Sequence, residues 1–207
     1  MADAPTVFVV DDDQAVRKSL DMLIRSVGHS VETFSSAQDF LDRFDDQRPG
    51  CLVLDVRMPG MSGLELQRYL KQRGAGIPII IITGHGDVPI AVRAMKDGAV
   101  EFLEKPFSKQ LLLEHISVAM KQDLKRRERS ANRSSIQARL DLLTGREHQV
   151  MELVAAGKLS KEVARELGIS KKTVDVHRAR VMHKMQVESL PELVELVLAA
   201  RQDGPAQ

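Results

Sequence analysis

The chain has 207 residues, 43% of them hydrophobic and 29% charged, with a net charge of +1; that is an ordinary soluble globular protein of one large or two modest domains. Cys51 is the only cysteine, which excludes an intrachain disulfide and fits a reducing compartment. No apolar run approaches the roughly 18 residues of a membrane helix, and the N-terminus lacks the basic-then-apolar pattern of a signal peptide, so a cytoplasmic protein with no membrane partner is expected.

Thr6 to Val10 is β-branched and apolar, a buried strand, and it runs into Asp11-Asp12-Asp13. Val16, Leu20, Leu23, Ile24 and Val27 then recur at helical spacing, closed by Gly28. Val31 to Phe34 reads as a second strand and about Ala37 to Phe44 as a second helix. Cys51 to Leu54 is a short apolar run that delivers Asp55, and Met58-Pro59-Gly60 stops it. A helix over 61–73 carries Leu64, Leu66 and Leu70; Ile77 to Thr83 is the most apolar strand. Gly84 to Asp87 is a loop, and a helix with Ile90, Val92, Ala94 and Met95 stops near Gly98. Ala99 to Leu103 is a last strand, followed by Glu104-Lys105-Pro106 and a helix that Ser108 caps. Apolar periodicity fades after Leu124, so this helix is expected to fray into a basic helical linker over 121–139.

Strand and helix thus alternate five times in residues 1–120. That predicts an α/β domain, a doubly wound, five-stranded parallel sheet. Leu140 to Gln202, within a second domain expected over 140–207, shows no strand-like run. Thr144 and Glu147 form a capping box, Ser160 and Ser170 open further helices, Gly157 and Gly168 end two of them, and Pro191 sits just inside a fourth. This predicts a small all-α, four-helix domain. Charge is unevenly placed. Residues 1–120 carry 13 Lys and Arg against 17 Asp and Glu, whereas 121–140 carry 7 against 2.

In a parallel sheet every strand ends on one edge, the edge where open α/β proteins do chemistry. Asp11, Asp12, Asp55, Thr83 and Lys105 all fall at or just past such ends. Converging carboxylates need a cation. Hard oxygens on a watery edge suit Mg²⁺, and Lys105 supplies a second positive charge. Together they would offset a phosphoryl group on Asp55, since a carboxylate is a known phosphoryl acceptor. Thr83 either bonds a phosphoryl oxygen or caps its own turn.

Residues 5–120 resemble the receiver domain of two-component response regulators, a flavodoxin-like fold. The match rests on Val10-Asp11-Asp12, Asp55 with Met58-Pro59-Gly60, Thr83-Gly84 and Lys105-Pro106-Phe107. The resemblance implies Asp55 as phosphoacceptor, with Asp11, Asp12, Asp55 and the backbone carbonyl of Arg57 as metal ligands. It also implies Thr83 and Lys105 as readers of the phosphoryl group. Phe102 stands at the switch-aromatic position, where many receivers have Tyr; lacking a hydroxyl it can signal only by packing, and it also reads as plain core.

Ser160 to Ala179 fits a helix-turn-helix, with Ala164 at the helix crossing, Gly168 in the turn and Val174 beneath the second helix. That second helix presents Lys171, Lys172, Thr173, Asp175, Val176, His177, Arg178, Arg180 and Lys184, rich in groups that read bases and grip phosphates in the major groove. Residues 143–200 resemble the LuxR-type helix-turn-helix through Leu143-Thr144-x-Arg146-Glu147, Leu167-Gly168-Ile169-Ser170 and Thr173-Val174-x-Val176-His177. Together the halves look like the NarL/FixJ class. The resemblance implies a non-enzyme: a transcription regulator switched by a sensor histidine kinase, dimerising on phosphorylation, binding double-stranded promoter DNA and meeting RNA polymerase. It suggests Leu193, Val194 and Val197 as a dimer seam, although an intradomain core explains them nearly as well. Asp175 stands where relatives often carry Lys or Glu, so base preference does not carry over.

Two rivals differ in class. A phosphohydrolase using Asp55 as nucleophile usually wants an acid two residues on, where Arg57 stands. A phosphorylation-independent DNA binder with a vestigial receiver would leave the acids without a role. Gly84-His85-Gly86 lacks the third glycine of a nucleotide loop, and the scattered histidines form no zinc pattern.

Overall fold

The computed structural model describes residues 4–84 and 88–202, with side chains to residue 200. Residues 85–87 of the loop expected after Thr83 lie outside the described residues. The chain divides into two units, Met1–Arg127 and Glu128–Gln207.

In the first unit, strands β1 (Thr6–Val10), β2 (Ser30–Phe34), β3 (Gly50–Asp55), β4 (Ile79–Thr83) and β5 (Glu101–Glu104) form one sheet in the order β2-β1-β3-β4-β5. Every neighbouring pair is parallel. The helices are α1 (Gln14–Ser26), α2 (Ala37–Arg43), α3 (Gly63–Gln72), α4 (Val88–Lys96) and α5 (Lys109–Asp141). Side chains alternate across a strand, and the two faces of the sheet build separate cores. Phe8, Val10, Leu52, Leu54, Ile79 and Ile81 meet Phe40 of α2, Leu66 and Leu70 of α3 and Ala94 of α4. Val7, Val9, Cys51, Val53, Ile80 and Ile82 meet Leu20 and Ile24 of α1 and Leu112, Ile116 and Ala119 of α5. Burial on both faces explains why these strands read as unbroken apolar runs. Burying each such side chain contributes about 1.5–3 kcal/mol.

The order also fixes where the site lies. From β1 the chain crosses to β2 on one side, then returns to place β3 on the other. The switch point therefore falls between β1 and β3, and a crevice opens there beyond their carboxyl ends. Asp11 follows β1 and Asp55 ends β3. Phe102, half-buried on β5, packs against the first core, so it is partly the core residue its alternative reading foresaw.

Helix α5 departs from expectation. It does not fray after Leu124 but runs unbroken to Asp141. Its polar stretch is rich in Lys, Arg, Gln, Glu and Ala, all good helix formers, and holds no Gly or Pro. Buried Asp123 and Ile136 anchor it where periodicity gave no sign.

In the second unit the tail of α5 is joined by α6 (Gly145–Ala155), α7 (Ser160–Leu167), α8 (Lys171–Met185) and α9 (Leu190–Gln202). Their core is Val150, Met151, Val154, Val163, Val174, Val181, Met185, Val187, Leu193 and Val197. Thr144 and Glu147 make the expected capping box on α6, and Ser170 caps α8 through the Thr173 amide. Ser160 is the first helical residue of α7 rather than its cap; Leu159 occupies that position, and its amide is taken by Glu162 Oε2 at 2.8 Å. Gly168 ends α7 in a left-handed conformation, φ 66°, which a side chain would strain.

Candidate functional sites

Lys105 organises the acid edge. It lies just past β5, and its Nζ stands 2.7 Å from Asp11 Oδ2 and 2.7 Å from Asp55 Oδ1, bridging the two strands at the switch point. Both carboxylates are nearly sealed: Asp11 is 1% and Asp55 5% exposed. Their remaining oxygens are occupied as well. Asp11 Oδ1 accepts from the Asp13 amide at 2.9 Å, and Asp55 Oδ2 from the Arg57 amide at 2.6 Å. Burial pushes the Asp55 carboxyl above its ordinary pKa, with Lys105 opposing that shift. Burial works against the Lys105 ammonium, but its bonds to Asp11 and Asp55 carry its pKa upward. Thr83 closes β4 beside them, fully buried, and its carbonyl accepts from the Lys105 amide at 2.7 Å. Asp12 is exposed, and Arg57 exposes its side chain while turning its amide inward.

On α8 the side chains of Lys171, Lys172, Thr173, Asp175, Val176 and Arg180 are exposed, and Val174 is buried beneath them. Lysines gather at the N-terminal end, the end that enters a groove in helix-turn-helix proteins.

Residues 7–117 match the response regulator receiver domain family, and residues 141–197 match the luxR family of bacterial regulatory proteins. The chain is a two-component response regulator.

Among its relatives, response regulator protein TodT of Pseudomonas putida is 48% identical over 193 residues, 93% of this chain and 85% of TodT. Transcriptional regulatory protein FixJ of Bradyrhizobium diazoefficiens is 48% identical over 194 residues, 94% of this chain and 95% of FixJ. The structure of response regulator StyR superposes with a TM-score of 0.88 at 50% identity, covering 94% of this regulator and 98% of StyR. The regulator therefore couples a receiver to a LuxR-type DNA-binding domain and acts in transcription regulation. No described helix is long and apolar enough to cross a membrane.

Of the predicted site residues, the structure brings Asp11, Asp55 and Lys105 into direct contact and sets Thr83 on the adjacent strand end. It separates others from their expected places. His177, Arg178 and Lys184 do not stand out with the exposed face of α8; all three are half-buried. Arg178 Nη1 donates to Ser160 Oγ at 3.0 Å, and Lys184 Nζ lies 2.6 Å from Glu147 Oε2. Leu193 and Val197 are 1% and 3% exposed inside the domain core and Val194 is half-buried, so the suggested dimer seam is largely intradomain packing. The fourth-helix pattern could not separate these, because one apolar stripe serves either purpose.

Three further residues shape the acid edge without a sequence signal. Arg17 Nη1 donates to the carbonyls of Asp11 and Asp12 at 2.7 and 2.9 Å, fixing the turn that carries both acids. Asp13 accepts from the amides of Ala15 and Val16, capping α1. Gly63 lets α3 begin against the Asp55 carbonyl, where an added Cβ would come within 2.1 Å of that oxygen. A basic residue one turn into a helix is too common to mark Arg17 in advance.

Proposed function

We propose that Asp55 accepts a phosphoryl group from a phosphohistidine on a partner sensor kinase, and that this switches dimerisation and promoter binding. The observation that carries the reading is the sealed pair Asp11 and Asp55 bridged by Lys105 at the switch point of the sheet. A carboxylate oxygen of Asp55 attacks phosphorus, a P–O bond forms, and the P–N bond breaks with the imidazole leaving. Lys105 then has a better partner than Asp55 Oδ1, the new phosphoryl oxygen, and Thr83 supplies a hydroxyl from β4. Phe102 follows by packing inward against the first core. Charge neutralisation and positioning are what such transfer asks of a protein.

The donor set fits Mg²⁺, which receiver domains generally bind. Among the described residues no three acids are drawn into a closed metal-holding cluster. Mg²⁺ does not require one, since it keeps several waters and takes only one or two carboxylates. Asp11, Asp12, Asp55 and the Arg57 carbonyl are the residues that would hold it. When bound, it supplies positive charge toward the oxygens of the incoming phosphoryl group.

In the second unit the exposed residues of α8 read double-stranded promoter DNA. RNA polymerase is the downstream partner, and the regulator works in the cytoplasm, where its kinase presents phosphohistidine. The test is radiolabelled acetyl phosphate with Mg²⁺, followed by sedimentation with and without beryllofluoride. The expected result is one acid-stable, base-labile label per chain, absent in Asp55→Asn, and a dimer that forms only with beryllofluoride. Label persisting in Asp55→Asn would overturn the assignment.

A further inference from the structure

We propose that Lys184 and Arg139 are positioning residues that set the angle of α8, and that neither contacts DNA. The inference rests on reading α8 as the DNA-reading helix. Lys184 is one of five cations between Ser170 and Lys184, and by charge alone it belongs with the phosphate grip. The structure gives it internal partners. Its Nζ lies 2.6 Å from Glu147 Oε2 and 3.0 Å from the Leu142 carbonyl. Glu147 is 2% exposed and also holds the Thr144 amide at 2.9 Å, so the last turn of α8 is bolted to the first turn of α6.

Arg139 forms a second bolt at the same end. It comes from the last turns of α5, whose Ile136 is buried, and its Nη1 donates to the Met185 carbonyl at 3.1 Å. That carbonyl belongs to the last turn of α8, where acceptors lack partners within the helix. A cation there is favoured by the helix dipole as well. Gln186 then turns the chain left-handed at φ 55°, and Val187 is buried beneath it. The C-terminal end of α8 is thus held by two cations and a buried turn, while toward its N-terminal end Val174 is buried and Lys171, Lys172 and Thr173 stand exposed.

The lever is long. Lys171 and Lys184 are thirteen residues apart, about 20 Å along a helix. A tilt of about 10° over that length displaces one end of α8 relative to the other by about 3 Å, enough to break bidentate bonds to base edges. Attraction to phosphates falls off far more gently and tolerates such a shift. Loosening the bolts therefore removes sequence selectivity and spares general DNA binding.

The experiment uses the full chain with two probes, a duplex selected from a random library by the wild type and a random-sequence duplex, each titrated over a range of salt. Lys184→Met and Arg139→Met are each expected to weaken the selected duplex about tenfold or more. The random duplex stays within about twofold and the salt slope does not change. A phosphate contact behaves differently: affinity for both duplexes falls together and the slope drops by about one. That pattern in Lys184→Met, or unchanged selectivity in both variants, overturns the proposal.

Lys184→Met leaves the Glu147 carboxylate buried and unpaired and can unfold the domain. The double variant with Glu147→Gln removes both charges. If it melts cooperatively yet keeps wild-type selectivity, the proposal fails; if it melts cooperatively and loses selectivity, the proposal stands. Lys172→Ala and Arg180→Ala serve as controls on the underlying reading. If both leave both duplexes unaffected, α8 does not read DNA, an outcome distinct from failure of the bolts alone.

Discussion

Replacing Asp123 by Ala should nearly unfold the receiver, although the residue lies beyond the stretch matched to the receiver family and far from the acid edge. Asp123 is 1% exposed. It accepts from the Gly50 amide at 2.9 Å, from Arg126 at 2.6 and 3.2 Å, and from Arg127 at 2.6 Å. Arg127 in turn donates to the carbonyls of Asp46, Gln47 and Arg48. One carboxylate thus ties α5 to the first residue of β3 and to the loop before it. Burial alone would raise its pKa, but Arg127, the Gly50 amide and Arg126 together hold it below the usual carboxylate value.

Alanine strands the buried Gly50 amide and takes the carboxylate partner from Arg126 and Arg127, of which Arg127 keeps its carbonyl acceptors. Breaking a buried pair by removing one partner costs about 3–5 kcal/mol, a large share of the roughly 5–15 kcal/mol that holds a domain together. The chain has one Tyr and no Trp, so Tyr69 fluorescence in urea follows this unit alone. With a slope of about 2 kcal/mol/M, the midpoint should fall by about 2 M. Asp123→Asn keeps the shape and one acceptor and should fall by less. A shift under about 0.5 M in Asp123→Ala would refute the reasoning and make the latch a surface ion pair of little worth.

Two more outcomes follow from the same geometry. Glu147 has its pKa depressed to about 2, chiefly by Lys184. A carboxylate whose folded pKa lies below its unfolded value near 4.5 contributes stability above that value and loses it as pH falls toward 2. The melting temperature of the DNA-binding unit should drop across that window in the wild type and stay flatter in Glu147→Gln; equal slopes would remove the role of the pair. Gly63→Ala puts a methyl against the Asp55 carbonyl, which should cost about 1–3 kcal/mol through forced backbone movement and slow phosphoryl uptake by Asp55. Wild-type uptake in that variant would show that the start of α3 does not brace the acceptor.

The sequence by itself determined a great deal. Strand–helix alternation dictates a parallel sheet with all strand ends on one edge, which is why Asp11, Asp55 and Lys105 meet there with Thr83 on the adjacent strand end. The Thr144–Glu147 capping box and the glycines at 157 and 168 likewise marked helix ends in the second unit, because those signals act within one turn of chain. Only the tertiary structure decided which polar groups face inward. A charge on a helix reads the same in sequence whether it meets solvent, a phosphate or a buried carboxylate. Lys184 therefore looked like a DNA contact, Arg17 like nothing in particular, and the stretch around Asp123 like a fraying linker. Leu193 and Val197 could serve a partner or a core until their burial was known. The difference is physical: periodicity records which face of an element is apolar, whereas the partner of a charged group is set by residues dozens of positions away, as Gly50 is for Asp123 and Glu147 for Lys184.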